Sequence, residues 1–123
     1  MAKFFKCNVC GQVITKAKCS GLPVSCCGKP MQELIANTVD ASLEKHVPVY
    51  EINGNVLTVK VGAVTHPSTQ EHYIPFIAVQ TNKNVLIKKI NPEEAPEAVF
   101  ALLDGEEVLE VYEYCNLHGF WKA

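Results

Sequence analysis

The chain has 123 residues, 48% of them hydrophobic and 20% charged, with a formal net charge of −2. That is enough for one ordinary domain or two very small ones with a real apolar core, and it offers no basic stripe of the kind a phosphate backbone requires, so nucleic acid is not an expected partner. No apolar run approaches the roughly 18 residues that span a bilayer, and the longest, Tyr73 to Val79, contains Pro75.

The opening "MAKFFKC" is too short and too soon followed by cysteines to read as a signal peptide, which makes the cytoplasm the expected location. In a reducing compartment, six cysteines are better explained by metal than by disulfides. Five of them fall between Cys7 and Cys27 and the sixth is Cys115, so the chain is expected to divide into residues 1–37 and 38–123. The first unit is glycine-rich, with short apolar pairs such as Val13-Ile14 and little else to bury. A unit below about 40 residues rarely folds on a hydrophobic core alone and needs a staple.

The staple is legible. "CNVC" at Cys7 and Cys10 is followed after fifteen residues by the adjacent pair Cys26-Cys27. A C-x2-C turn points two thiolates into one concavity, and a distant second pair completes a tetrahedron. Adjacent cysteines bond to each other only with strain, so two ligands of one ion is the simpler reading. A thioredoxin-like redox pair lacks any βαβ context here, and plain buried or disulfide-paired cysteines fit the compartment poorly. Thiolates select zinc and iron alike, so spacing leaves the metal open. Cys19 is left over as a free thiol.

From about residue 40 the pattern turns to β. "VYEINGNVLTVKVG" reads as two strands around Asn53-Gly54, with Leu57, Val59 and Val61 on one face and Thr58 and Lys60 on the other. "YIPFIAVQTNKNVLIKKI" repeats the scheme around Asn82 to Asn84. "NPEEAPEAV", with two prolines and three glutamates, reads as a solvated connection, and "VLEVYEYC" is a last alternating strand after the turn at Asp104-Gly105. Such regular strands with polar turns predict a β-sandwich.

All four histidines lie in this β region: His46 in "EKHVP", His66 and His72 in "THPSTQEHYI", and His118 in "CNLHGFWKA" with Cys115. Each sits beside a turn or strand-edge signal, where side chains can converge at one end of a sandwich. A blue-copper site would need a methionine soon after its second histidine, and the only two are Met1 and Met31. The other chemistry is iron with imidazoles around an equator, one axial thiolate and an open position opposite the sulfur.

In that order, and preceded by the C-x2-C-x15-C-C array, these motifs resemble the superoxide reductases, in particular their two-iron form, desulfoferrodoxin. The resemblance covers essentially the whole chain. It implies a desulforedoxin-like four-cysteine domain over residues 1–37 and a catalytic, immunoglobulin-like β-sandwich over 38–123. It assigns His46, His66, His72 and His118 as imidazole ligands of a catalytic iron and Cys115 as its axial thiolate. Cys7, Cys10, Cys26 and Cys27 would hold a rubredoxin-like iron, or zinc in its place. Glu44 and Lys45 match the family's Glu-Lys pair beside the open position; where a Met commonly follows the second motif's His-Pro, this chain has Ser68.

The implied activity is one-electron reduction of superoxide to hydrogen peroxide, with electrons from rubredoxin or a similar small donor, in a homodimer. The turn "NLHG" is expected to aim backbone N–H groups at the Cys115 sulfur and tune its donation. The alternative from another class is a non-catalytic metalloprotein, either an electron carrier or a zinc-ribbon module attached to a binding sandwich.

Overall fold

The period-2 stretches become strands. The computed structural model describes residues 1–39, 41, 43–63 and 66–123, with Glu44 described by its backbone alone. The chain divides into two units, Met1–Ile35 and Ala36–Ala123, and the molecule is β in class.

The first unit carries five short strands: β1 (Phe4–Lys6), β2 (Val13–Thr15), β3 (Ser25–Cys26), β4 (Lys29–Pro30) and β5 (Gln32–Glu33). They form an antiparallel sheet in the order β2-β1-β5 and a separate β3-β4 hairpin. Phe4, Cys7 and Met31 are the hydrophobic side chains buried among its described residues, too few for a self-sufficient core. At the tip of the hairpin, Cys27 and Gly28 both take positive φ, 54° and 73°. That is the primed-turn geometry whose twist matches the flanking strands, and it is why Cys26 and Cys27 can face one point although they are adjacent.

The second unit contains one helical turn, α1 (Leu43–His46), and the strands β6 (Pro48–Asn53), β7 (Val56–Val61), β8 (Phe76–Thr81), β9 (Val85–Lys89), β10 (Glu97–Ala101), β11 (Val108–Cys115) and β12 (Gly119–Lys122). Among the described residues they form two sheets, β10-β7-β6 and β12-β11-β8-β9, with antiparallel pairing throughout. Leu57, Val59 and Val61 of β7 and Ala98 of β10 share one core with Ile77 and Val79 of β8 and Val111 and Cys115 of β11. That interleaving of two sheets is the expected β-sandwich. Each fully buried Val, Leu or Ile in it contributes about 1.5–3 kcal/mol of transfer free energy.

Two local readings change. The first hairpin turns at Gly54 and Asn55, because Asn53 pairs with Val56 and Gly54 takes φ 63°. Glycine in the first turn position gives the alternative primed turn and leaves the inward set of β7 unaltered. The stretch "NPEEAPEAV" is only partly a connection, since its last three residues open β10 along the edge of β7. Ala98 is its buried residue and Val99 is 67% exposed, so the strand shows almost no apolar alternation. Pro96 adds a loop signal but sits just outside the ladder, where its carbonyl accepts from Val61 N–H at 3.0 Å.

The end of the sandwich away from Cys115 is closed by a polar network around Thr81. Its hydroxyl donates to Glu106 Oε2 at 2.5 Å and accepts from the N–H groups of Lys83 and Asn84. Glu106 also accepts from Leu103 N–H at 2.9 Å and from the Asn84 amide at 2.9 Å. These donors, Leu103 N–H first, then Thr81 and Asn84, hold its carboxyl below the ordinary 4.5. A carboxylate whose pKa is depressed by folding stabilises the fold above its unfolded value and loses that contribution as pH falls through the folded one. Glu106→Gln is therefore expected to be less stable than the parent at pH 7, with the gap closing below about pH 4.5. Urea midpoints across pH 3–7 measure this, and a gap that stays constant would show that the charge plays no part.

Candidate metal centres

In the four-cysteine site, Gly11 N–H donates to Cys7 O and Cys7 N–H to Gln12 O, both at 2.9 Å, which curls the "CNVC" turn. The thiols of Cys7, Cys10, Cys26 and Cys27 lie within 4.8 Å of one another. Backbone N–H groups of Cys10 and Val9 pull the Cys7 thiol down to about 6. Hydrogen bonding with Cys10 and Cys7 pushes Cys26 up to about 12, and the same neighbours raise Cys27. Four thiols thus compete for protons at one point, a conflict that a shared cation removes. Cys19 stands outside the cluster, exposed and free.

The second site is assembled from three places in the sandwich. His46 ends α1, His66 and His72 lie on the β7–β8 loop, Cys115 ends β11, and His118 is the last residue of the β11–β12 turn. That turn holds three residues between Cys115 and its partner Gly119. Gly119 takes φ 86°, and Val39 Cγ2 stands 3.2 Å from where a Cβ would project, so only glycine fits.

The four imidazoles form a closed cycle of edge-to-face contacts. Ring centroids are 4.9 Å apart for His46–His66, 4.6 Å for His66–His72, 5.1 Å for His72–His118 and 4.8 Å for His118–His46, with interplanar angles of 72–79°. Ligand atoms of His46, His66, His72 and Cys115 lie within 4.8 Å of one another. His118 joins through Nδ1, which is 3.1 Å from His46 Nε2 and 3.9 Å from Cys115 Sγ.

These donors fit a metal. His66 Nδ1–H donates to Pro67 O at 2.7 Å, which fixes the tautomer and leaves the Nε2 lone pair facing inward. His66 Nε2 and His72 Nε2 are buried with no hydrogen-bond partner among the described residues, and each such orphan costs about 1–3 kcal/mol unless something binds it. Two ring nitrogens sharing an ion at right angles, each at about 2.1 Å, stand about 3.0 Å apart, close to the His46–His118 separation. Burial, outweighing the bond to Pro67, holds the His66 ring down to about 4, and burial also lowers His72, followed by His118, His46 and Lys45. Both shifts favour the neutral ring, the form that can ligate a metal. Cys115 is fully buried, which raises its thiol. The expected backbone N–H groups are in place, those of His118 and Leu117 opposing that rise.

Lys45 is exposed and close enough for its charge to act on His72, whereas the side chain of Glu44 lies outside the described residues. Ser68 donates its hydroxyl to Glu94 O, pinning the His66 loop to the segment before β10. Sequence reasoning passed over three neighbours. Trp121, the chain's single tryptophan, stacks on His46 at 5.1 Å and donates Nε1–H to His118 O at 3.1 Å. Glu113 is fully buried, its carboxyl oxygens have no hydrogen-bond partner among the described residues, and burial pushes the carboxyl well above the ordinary range. Its signal was the inward alternation Val111, Glu113, Cys115. The third, Asn116, directly follows Cys115 in the quoted "CNLH".

A four-thiolate site on a small β unit and a histidine–thiolate site at one end of a β-sandwich define a protein with two separate metal-binding centres. The family model described as desulfoferrodoxin matches residues 38–123. The desulfoferrodoxin of Syntrophotalea carbinolica is 43% identical over 119 residues, 97% of this chain and 93% of that one. That of Nitratidesulfovibrio vulgaris is 39% identical over 121 residues, 98% and 94%. Among solved structures, the superoxide reductase from Treponema pallidum matches with a TM-score of 0.84 and 39% identity, covering 100% of this chain and 98% of that one. The one-iron superoxide reductase from Giardia intestinalis matches with a TM-score of 0.57 and 36% identity, covering 65% and 95%. The chain belongs to the desulfoferrodoxin family, and its relatives and site chemistry place it among the oxidoreductases. No helix among the described residues is long and apolar enough to cross a membrane.

Proposed function

We propose that the chain is a superoxide reductase, in which His46, His66, His72 and His118 would hold iron through their imidazoles and Cys115 through its thiolate. The observation that carries this reading is the closed cycle of four imidazoles beside a buried cysteine, with the Nε2 atoms of His66 and His72 left without a hydrogen-bond partner among the described residues. Ferrous iron bound there would supply the one electron that the reaction needs. Superoxide takes up that electron and two protons to give hydrogen peroxide, and a small one-electron carrier such as rubredoxin returns the electron. Cys115 contributes a sulfur whose donation is moderated by the N–H groups of His118 and Leu117. Imidazole ligands would bring no negative charge to the site, and exposed Lys45 adds a cation that attracts the anion. The four-cysteine unit, over residues 1–37, is read as the desulforedoxin-like domain, the sandwich over 38–123 as the catalytic one, and the assembly as a homodimer.

The test is stoichiometry and salt dependence. With reductant supplied, each superoxide should yield one hydrogen peroxide without oxygen evolution; a yield of one per two superoxides, with oxygen released, would mark a dismutase instead. Lys45→Met should lower the second-order rate with superoxide by about tenfold and flatten its dependence on ionic strength, with the iron spectrum unchanged. Pulse radiolysis of both proteins across a salt series measures this, and identical rates and slopes would reduce Lys45 to a solvated surface residue.

A further inference from the structure

We propose that Asn116 is a positioning residue for the histidine–cysteine centre, its side-chain amide standing in for a strand peptide and clamping the backbone on both sides of His72. Tyr73 N–H donates to Asn116 Oδ1 at 3.0 Å, and Asn116 Nδ2 donates to Glu71 O at 2.9 Å. A backbone N–H can only donate and a carbonyl can only accept, so these two partners fix which way the amide faces. The backbone N–H of Asn116 adds a third bond, to Tyr73 O at 3.2 Å.

The two peptide groups that meet at His72 carry four polar atoms, and all four are taken. Thr69 takes the pair belonging to His72: its Oγ1 accepts from His72 N–H at 3.1 Å, and its own N–H donates to His72 O at 2.9 Å. Asn116 takes the other pair, Glu71 O and Tyr73 N–H. The bonds from Thr69 stay within the loop, three residues away, whereas those from Asn116 span 45 and 43 residues and reach the end of β11. His72 cannot rotate about its backbone without breaking one set or the other.

The clamp matters because of what stands next to it. Asn116 follows Cys115 by one peptide, about 3.8 Å between Cα atoms. The sulfur and the His72 imidazole, which come from different parts of the chain, are therefore held in register by one covalent step and one planar amide. Ligands must be held to about 0.5 Å for a site to function, and a loop residue has no ladder of its own to supply that. Asparagine is the shortest side chain that offers a donor and an acceptor on one rigid plane. Aspartate keeps the acceptor for Tyr73 N–H and loses the donor to Glu71 O; alanine loses both.

This inference rests on the ligand set proposed above and is read without superoxide. Full-length parent, Asn116→Ala and Asn116→Asp would be loaded with ferrous iron and mixed with a ferrous chelator, following iron loss from the histidine–cysteine centre. The absorption of the four-cysteine centre serves as an internal control. Alanine is expected to release iron about 10- to 100-fold faster and to shift the thiolate-to-iron band of the oxidised centre. Aspartate should fall between alanine and the parent on both readouts, with melting temperature and four-cysteine absorption unchanged in either variant. Parental release rates with an unshifted band in alanine, or in aspartate should alanine fail to fold, would overturn the assignment. A parent that holds iron in this site yet fails to reduce superoxide would sink the proposed function and leave the clamp standing.

Discussion

Replacing Cys115 with serine is expected to abolish the thiolate-to-iron band and to reduce superoxide turnover by more than about 100-fold, beyond the range usual for changes outside the ligand set. The reason is electronic. A thiolate ligand would donate electron density to the iron that a neutral hydroxyl would not. Cys115 also lies in the sandwich core with Val111 and Ile77, so the fold must be checked separately. Circular dichroism and the absorption of the four-cysteine centre should be those of the parent. Near-normal turnover in Cys115→Ser would show that the assignment of Cys115 as a ligand is wrong.

Cys10→Ser should have an equally large effect on the other centre and little on this one. The first unit buries Phe4, Met31 and Cys7 and little other apolar surface among its described residues. Its folding free energy is therefore largely metal-binding free energy, about 10–16 kcal/mol in comparable structural zinc sites. Loss of one thiolate should bleach the rubredoxin-like absorption and loosen residues 1–35, seen as faster amide exchange in that stretch. The sandwich has its own core, so a pre-reduced histidine–cysteine centre should still reduce superoxide in a single turnover. Complete loss of that step would mean that the two centres are not separable.

The residues that became visible from sequence alone are those whose chemistry is rare. Four cysteines at metal-ligand spacing, and four histidines and a cysteine beside turns, stand out whatever surrounds them. The β hairpins were legible because one face of each strand is buried, which forces alternation such as Leu57, Val59 and Val61. β10 was hidden because its buried residue is an alanine beneath an exposed valine, a strand whose place is set by the neighbouring edge of β7. The supporting residues were hidden for a different reason. Ser68 and Asn116 act through backbone atoms of segments distant in sequence, Trp121 through the ring of His46, and nothing in a serine or an asparagine announces which carbonyl it will meet. The order of the imidazoles around their cycle is likewise a product of folding.

That cycle has a consequence for the order of assembly. The four-cysteine site closes over a short stretch of chain, with Cys10 and Cys26 sixteen residues apart, so it can capture an ion as soon as that segment is synthesised, while the rest of the chain is still unstructured. The imidazole cycle joins His46 to His118, 72 residues away, and its last members depend on the β11–β12 turn. Closing so long a loop costs entropy that only the paired sheets repay. Whatever metal is most available during synthesis therefore has first access to the thiolates, whereas the second centre selects its ion from the surroundings of an already folded sandwich.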